Sequence, residues 1–217
     1  SLTLTGNEFA NAMVGNGSNE VLNGGLGDDV FYGNGGADVF NGSIGADTFY
    51  IDSSDDVIIE VAGHGTDRLY TSADYTLSDA AIVENLYANA GATGLTITGN
   101  SSFNNIFGNA GNDTLNGGGG NDVLYGQGGD DSMTGGTGND VFYVDSTGDT
   151  VFEAAGEGKD QIYTTSSFTL AAGQEIETIR IFPGSGGLTL VGNEFGQLFI
   201  GRMGVDTFQG LGGDDVY

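Results

Sequence analysis

An apolar residue recurs at every ninth position along most of this chain, and the positions around it repeat with it. From Gly6 the blocks read GNEFANAMV, GNGSNEVLN, GGLGDDVFY, GNGGADVFN and GSIGADTFY. A second tract opens at Gly99 with GNSSFNNIF, GNAGNDTLN, GGGGNDVLY, GQGGDDSMT and GGTGNDVFY. A third opens at Gly192 with GNEFGQLFI and GRMGVDTFQ and stops inside GLGGDDVY. In all 13 blocks position one is Gly and position eight is apolar: Met13, Leu22, Phe31, Phe40, Phe49, Ile106, Leu115, Leu124, Met133, Phe142, Phe199, Phe208 and Tyr217. Position six is Asp in nine of the 13, with Asn11, Glu20, Asn104 and Gln197 as the exceptions, which is too regular for scattered surface charge.

A longer period carries the shorter one. Gly6, Gly99 and Gly192 are 93 residues apart, and Leu2-Thr3-Leu4, Leu95-Thr96-Ile97 and Leu188-Thr189-Leu190 keep that offset. So do Tyr70 and Tyr163, and Glu84 and Glu177. The expected organisation is a first super-repeat over 1–98 (nonads 6–50, degenerate nonads 51–70, metal-poor β coils 71–98). A second follows over 99–191 (nonads 99–143, degenerate nonads 144–163, metal-poor coils 164–191), then a partial third over 192–217. The register starts and stops in mid-pattern, as expected of a piece of a longer array.

The nonad has a physical reading. Glycine admits positive φ and close backbone approach, so the first six residues can turn tightly. The remaining triplet is a short strand whose central residue points inward, because side chains alternate faces. Two units make a coil of about 18 residues, and coils stack by parallel strand pairing at about 4.8 Å. No unit buries its apolar residue alone, so stability needs neighbours. The expected fold class is all-β, a parallel β-helix solenoid in tandem 93-residue repeats.

Composition sharpens this picture. Among 217 residues there are 42 Gly, one Pro and no Cys, with 30 Asp plus Glu against four Lys plus Arg, a formal net charge of −26. A surface this acidic repels phosphate backbones and anionic headgroups, so no nucleic-acid partner is expected. No apolar run approaches the 18 residues of a membrane span, so membrane insertion by this segment is not expected either. Self-repulsion on this scale calls for a counter-ion. Stacked turns point carbonyls and one carboxylate per unit into the gap between coils, and calcium takes six to eight such oxygens at flexible geometry. Magnesium demands stricter octahedral geometry, and zinc prefers His or Cys, of which the chain has one and none.

The blocks match G-G-x-G-x-D-x-U-x, and in this the chain resembles the RTX (repeats-in-toxin), or haemolysin-type, calcium-binding nonapeptide repeat proteins. The resemblance implies a right-handed parallel β-roll with Ca2+ between turns on the same side, several ions per tract, so that unit n shares an ion with unit n+2. Carried onto this sequence, the pairs are Glu20/Asp38 and Asp29/Asp47, then Asn104/Asp122, Asp113/Asp131 and Asp122/Asp140. The same resemblance implies ligation by Asp206 and Asp215, and by the turn glycines. These are Gly24, Gly33, Gly42, Gly108, Gly117, Gly126 and Gly135 at position one, Gly25, Gly118 and Gly136 at two, Gly35 and Gly128 at three, and Gly27, Gly36, Gly45, Gly111, Gly120, Gly129 and Gly138 at four.

Beyond each tract the pattern fades by steps. IDSSDDVII and VDSTGDTVF keep the spacing, with Asp56 and Asp149 at position six. After a one-residue slip, AGHGTDRLY and AGEGKDQIY restore it with Asp67 and Asp160. The calcium rows would extend through Asp38/Asp56 and Asp131/Asp149, and across the slip through Asp47/Asp67 and Asp140/Asp160. Residues 71–98 and 164–191 lose the Gly-Asp signature yet keep alternation, and read as metal-free coils continuing the solenoid. A small β insertion or an unrelated packed subdomain is the alternative there, and a helix over 78–89 stays open, since Leu77, Ala81, Ile82 and Leu86 have helical spacing. The first members of the pairs Asp28-Asp29, Asp130-Asp131 and Asp214-Asp215 read as solvated. His64 stands at a variable turn position where the second repeat has Glu157, and nothing basic recurs, which argues against a catalytic histidine or a polyanion groove.

Neither H-E-x-x-H nor G-x-S-x-G occurs, and no P-loop or EF-hand pattern is present. The segment is therefore expected to be non-catalytic. Two functions remain open. One is a calcium-stiffened structural or adhesive stalk or surface-layer segment, with further repeat copies or cell-surface material as partners. The other is the carboxyl-terminal secretion and folding module of a secreted enzyme or toxin. Either implies a secreted or cell-surface location, and the resemblance implies type I secretion.

Overall fold

Each complete x-U-x triplet of the nonads is a strand in the computed structural model, which describes residues 2–61 and 65–217. His64 lies outside the described residues. In Val30–Tyr32, Asn105–Phe107 and Val123–Tyr125 the central side chain is buried and its neighbours are half-exposed, as alternation across a strand requires. Four strands run to six residues: Val21–Leu26, Val39–Ile44, Thr114–Gly119 and Ser132–Thr137 continue through the position-one glycine into the next block. They do so because the turn backbones also pair across coils, as at Gly25 with Ser43 and Gly118 with Gly136.

All pairings are parallel, which defines a β-solenoid; the described residues contain no helix. One face is an unbroken 11-stranded sheet running from Ala12–Val14 to Leu198–Ile200. The opposite face is divided into sheets of four, five and three strands. Its breaks fall between Val57–Ile59 and Tyr75–Thr76, and again between Thr150–Phe152 and Phe168–Thr169. The arrangement is consistent with a right-handed β-roll.

Register shows what the slip is. Phe31 pairs with Phe49, 18 residues on, but Phe49 pairs with Leu69, 20 residues on. Likewise Leu124 pairs with Phe142 and Phe142 with Ile162. The slip is therefore two residues rather than the one expected, and the coil absorbs them because the turn can lengthen without losing its strand.

Residues 71–98 and 164–191 continue the solenoid. Asn85–Ala88 is hydrogen-bonded to Arg68–Thr71 on one side and Asn105–Phe107 on the other. Thr178–Ile181 bridges Gln161–Thr164 and Leu198–Ile200 in the same way. The helix alternative over 78–89 is therefore overturned. Local apolar spacing is a weak preference, and an open strand edge on the coil below offers more backbone hydrogen bonds than an isolated turn of helix. Asn100 ties the irregular stretch down by donating from Nδ2 to the carbonyls of Ser78 and Ala81, and Asn193 does the same to Ala171 and Gln174.

Position-eight side chains form the central column of the core, with others such as Ile51, Val83 and Val144 packed beside it. Leu22, Phe31, Phe40, Phe49, Ile106, Leu115, Leu124, Met133 and Phe142 are fully buried, with the Phe31 and Phe49 rings stacked 5.1 Å apart. Two expected core members depart from this: Phe208 is only partly buried and Tyr217 is 66% exposed. No coil of the described chain covers Tyr217, although its ring stacks on Phe199. Outside the 11-stranded face a second column forms at position nine. Tyr32, Tyr50, Tyr70, Tyr87, Phe107, Tyr125, Tyr143 and Tyr163 stack in sequence at 4.2–5.3 Å.

Candidate metal centre

Position six precedes the strand, where the chain leaves its turn, and the turns of successive coils lie over one another. The position-six side chains therefore form two rows. The row beside the 11-stranded face runs Asn11, Asp29, Asp47, Asp67, Glu84, Asn104, Asp122, Asp140, Asp160, Glu177, Gln197, Asp215. The opposite row holds Glu20, Asp38 and Asp56, then Asp113, Asp131 and Asp149, then Asp206.

A repeated hydrogen bond builds each row. Oδ1 of one position-six aspartate accepts the backbone N–H of its counterpart one coil earlier. Asp38 accepts from Glu20, Asp47 from Asp29 and Asp56 from Asp38 at 2.7–2.9 Å. Asp122 accepts from Asn104, Asp131 from Asp113, Asp140 from Asp122 and Asp149 from Asp131 at 2.6–2.9 Å. The bond survives the insertion, since Asp67 accepts from Asp47 and Asp160 from Asp140 at 2.7 and 2.8 Å. Every pair named from the sequence is thus adjacent in space.

The second oxygen is the telling one. Among the described residues, nine of the ten buried side-chain polar atoms without a hydrogen-bond partner are carboxylate oxygens. They belong to Glu20, Asp29, Asp38, Asp47, Asp122, Asp131 and Asp140, and to Glu60 and Glu153. A buried anion without a partner is costly, so such atoms mark where positive charge belongs. Burial pushes the Asp122 and Asp131 carboxyls up to about 7 against the N–H bonds that lower them, and the next carboxylate in the row pushes the same way. Asp47 rises to about 6 and Asp160 to about 7 for the same first reason.

Glycine leaves the room. Asp29 Oδ2 lies over Gly24, where a Cβ would collide with it; Asp38 stands in the same way over Gly33, and Asp131 over Gly126. A Cβ on Gly15, Gly99 or Gly117 would meet the carbonyl oxygen of Gly33, Gly117 or Gly135, so carbonyls line the same gaps. At position four, Gly138 sits at φ 137° with its Cα against the Gly120 carbonyl, a place no side chain can share.

Other expected ligands are placed differently. Asp56 and Asp149 spend their second oxygen on two turn N–H groups each, from Asp52 and Ser53 and from Asp145 and Ser146. Asp113 accepts from Leu95 and Asn109, and Asp206 from Gly187, Leu188 and Arg202, which with the other N–H bonds holds its carboxyl below the usual range. Asn104 accepts the Asn100 N–H and donates to the Val83 carbonyl. Asp215 is half-buried and accepts from Gln197. Asp28, Asp130 and Asp214 are exposed, and Asp28 still caps the next turn by accepting the Ala46 N–H.

Four row members went unread in the sequence. Glu84 and Glu177 occupy the rung after the insertion, accepting the N–H of Asp67 and Asp160. Glu60 and Glu153 reach the row from the other side. The signal was present: counting 18 from Gly42 and Gly135 lands on these two glutamates, where the pattern calls for glycine.

A parallel solenoid with carboxylates stacked between glycine turns is a metal-binding repeat architecture. The sequence model of the RTX calcium-binding nonapeptide repeat (4 copies) matches residues 14–49, 96–124, 107–142, 117–151 and 198–217, together just over half of the chain. The protein belongs to that family. No curated protein matches it.

Proposed function

We propose that this chain is a calcium-folded structural segment of a secreted or cell-surface protein, with a stalk-like or adhesive role. The observation that carries the reading is the set of buried, unpartnered carboxylate oxygens in both rows. Glu20, Asp29, Asp38, Asp47, Asp122, Asp131 and Asp140 would hold the ions, together with glycine carbonyls such as those of Gly33, Gly117 and Gly135. Hard oxygen donors without His or Cys suit calcium. Bound calcium supplies the positive charge that the rows lack and draws adjacent turns together.

The chain's own residues do the rest. At low calcium the 30 Asp and Glu side chains repel one another and keep the backbone expanded, a state suited to passage through a narrow exporter. At the millimolar calcium outside cells the rows are neutralised, and binding energy becomes folding energy. An unbroken 11-stranded sheet through both super-repeats supports the stalk reading, because force along the axis is carried by one continuous ladder.

Far-UV circular dichroism during a calcium titration of chelator-stripped protein tests this, with magnesium as control. A cooperative coil-to-β transition in calcium alone is expected. A stripped chain already rich in β-structure and unchanged by calcium would overturn the reading.

A further inference from the structure

The column of position-one residues ends in the same way twice. Steps of 18 read Gly6, Gly24, Gly42 and then Glu60; in the second repeat they read Gly99, Gly117, Gly135 and then Glu153. Both glutamates are buried, 1% and 2% exposed. Each sits where the two-residue insertion begins, and each extends its carboxylate under the row on the opposite side of its strand.

There it meets two aspartates. Carboxylate oxygens of Asp47, Glu60 and Asp67 all lie within 4.8 Å of one another, and so do those of Asp140, Glu153 and Asp160. Glu60 accepts the Val61 N–H with Oε1, and Glu153 accepts the Gly136 N–H with Oε1. In both, Oε2 is buried and has no partner, and the nearby Asp47 and Asp140 each keep Oδ2 unpartnered. The glycine one coil earlier makes the space: a Cβ on Gly42 would strike both Glu60 and Asp47, and one on Gly135 both Glu153 and Asp140. Three carboxylates in one dry site, recurring 93 residues apart, cannot all stay ionised as neighbours without a shared cation.

We propose that each triad is a distinct three-carboxylate calcium site that closes its tract, tighter than the sites between consensus turns and selective for higher charge. This rests on the reading of the rows as calcium ligands given above. Consensus gaps offer two row carboxylates and carbonyls; here a glutamate replaces the glycine and adds a third negative charge. Ligand charge count sets calcium affinity, so the triads should bind about tenfold tighter than the remaining sites. With charge −3, they should also prefer a trivalent lanthanide to calcium, because only the trivalent ion leaves the site neutral.

The test is isothermal titration of the full chain with calcium and with terbium, comparing wild type, Glu60→Gln, Glu153→Gln and the double variant. Wild type should show two ions in the tightest class. Each single variant should lose one and the double both, with the terbium preference lost alongside and the circular dichroism at saturating calcium unchanged. If Gln does not fold, Glu153→Gly restores the residue the column carries at Gly135 and should lose the same ion. A tight class that persists in the variants overturns the inference while leaving the rows intact. A wild-type chain that binds no calcium anywhere overturns both readings.

Discussion

The backbone N–H of Asp122 donates to Oδ1 of Asp140, 18 residues later, at 2.6 Å, while both residues keep Oδ2 buried and unpartnered. One carboxylate oxygen is thus spent on joining coils and the other is left for a cation. The two roles separate by substitution. Asn at position 122 still offers an oxygen to the Asn104 N–H but replaces the free oxygen with an amide. Asp122→Asn should raise the calcium midpoint roughly tenfold. At saturating calcium it should retain the wild-type β spectrum. Asp122→Ala also removes the hydrogen bond and should cost a further 1–3 kcal/mol or so in urea unfolding at saturating calcium. An unchanged midpoint in Asp122→Asn would show that the orphaned oxygen is not a ligand.

The row carboxyls give pH two opposed effects. Asp122, Asp131 and Asp160 are pushed up to about 7 by burial, and Asp47 to about 6, from an unfolded value near 4. The metal-free coil therefore binds more protons than the unfolded chain between these limits. Its stability is fully present below about pH 4 and is lost as pH rises through about 7. Calcium competes with those protons, so its affinity should fall as pH drops from 8 to 6. Circular dichroism of stripped protein should show more β-structure at pH 5 than at pH 8, while the calcium midpoint moves to higher concentration at pH 6. Parallel trends in the two measurements would contradict the assignment.

The core column predicts a localised failure. Phe40 is fully buried and meets Phe31 and Phe49 edge-on at 6.0 and 6.3 Å. Phe40→Ala should destabilise by about 3–5 kcal/mol through the cavity it leaves. In a stack where each coil touches only its neighbours, the loss should fall on the first tract. Hydrogen exchange at saturating calcium should show faster exchange in strands Val21–Leu26 to Val57–Ile59 and little change in Thr114–Gly119. Uniform acceleration along the chain would mean that the solenoid unfolds as one unit.

The coil-and-row plan was legible because one residue type recurs at one position for one reason. Position eight buries, position six faces the gap and position one must lack a Cβ; Phe31, Asp29 and Gly24 follow directly. What escaped reading lies where the period breaks. The insertions before Asp67 and Asp160 hide Glu60 and Glu153, whose positions count correctly only from the preceding glycines. Glu84 and Glu177 were seen to recur, but nothing local says that they complete a row. Residues 78–89 left a helix open beside the coil for another reason: Leu77, Ala81 and Leu86 are all buried, as a helix would also demand, and the strand edge at Arg68–Thr71 decides for the coil.

The aromatic ladder supplies a stabilising substitution. In the first repeat Tyr87 stacks between Tyr70 and Phe107 at 4.8 and 4.7 Å. Its counterpart 93 residues on is Arg180, whose guanidinium lies 5.9 Å from the Tyr163 ring and whose Nε is buried without a partner. Ladder pairing places Arg180 beside Tyr163 and Ile200, both apolar enough to take a ring. Arg180→Tyr removes an unsatisfied donor and adds one stacked pair, at the loss of a cation–π contact on a half-exposed face. A stacked pair contributes about 0.5–1.5 kcal/mol, against about 0.5–1 for an exposed cation–π contact. Counting the relieved donor, the variant should gain about 1 kcal/mol. Thermal unfolding at saturating calcium should show a midpoint a few degrees higher. Arg180→Leu separates the causes: it relieves the donor without stacking, and should recover only part of the gain. A lower midpoint in both variants would mean that the guanidinium is held by interactions beyond the Tyr163 ring.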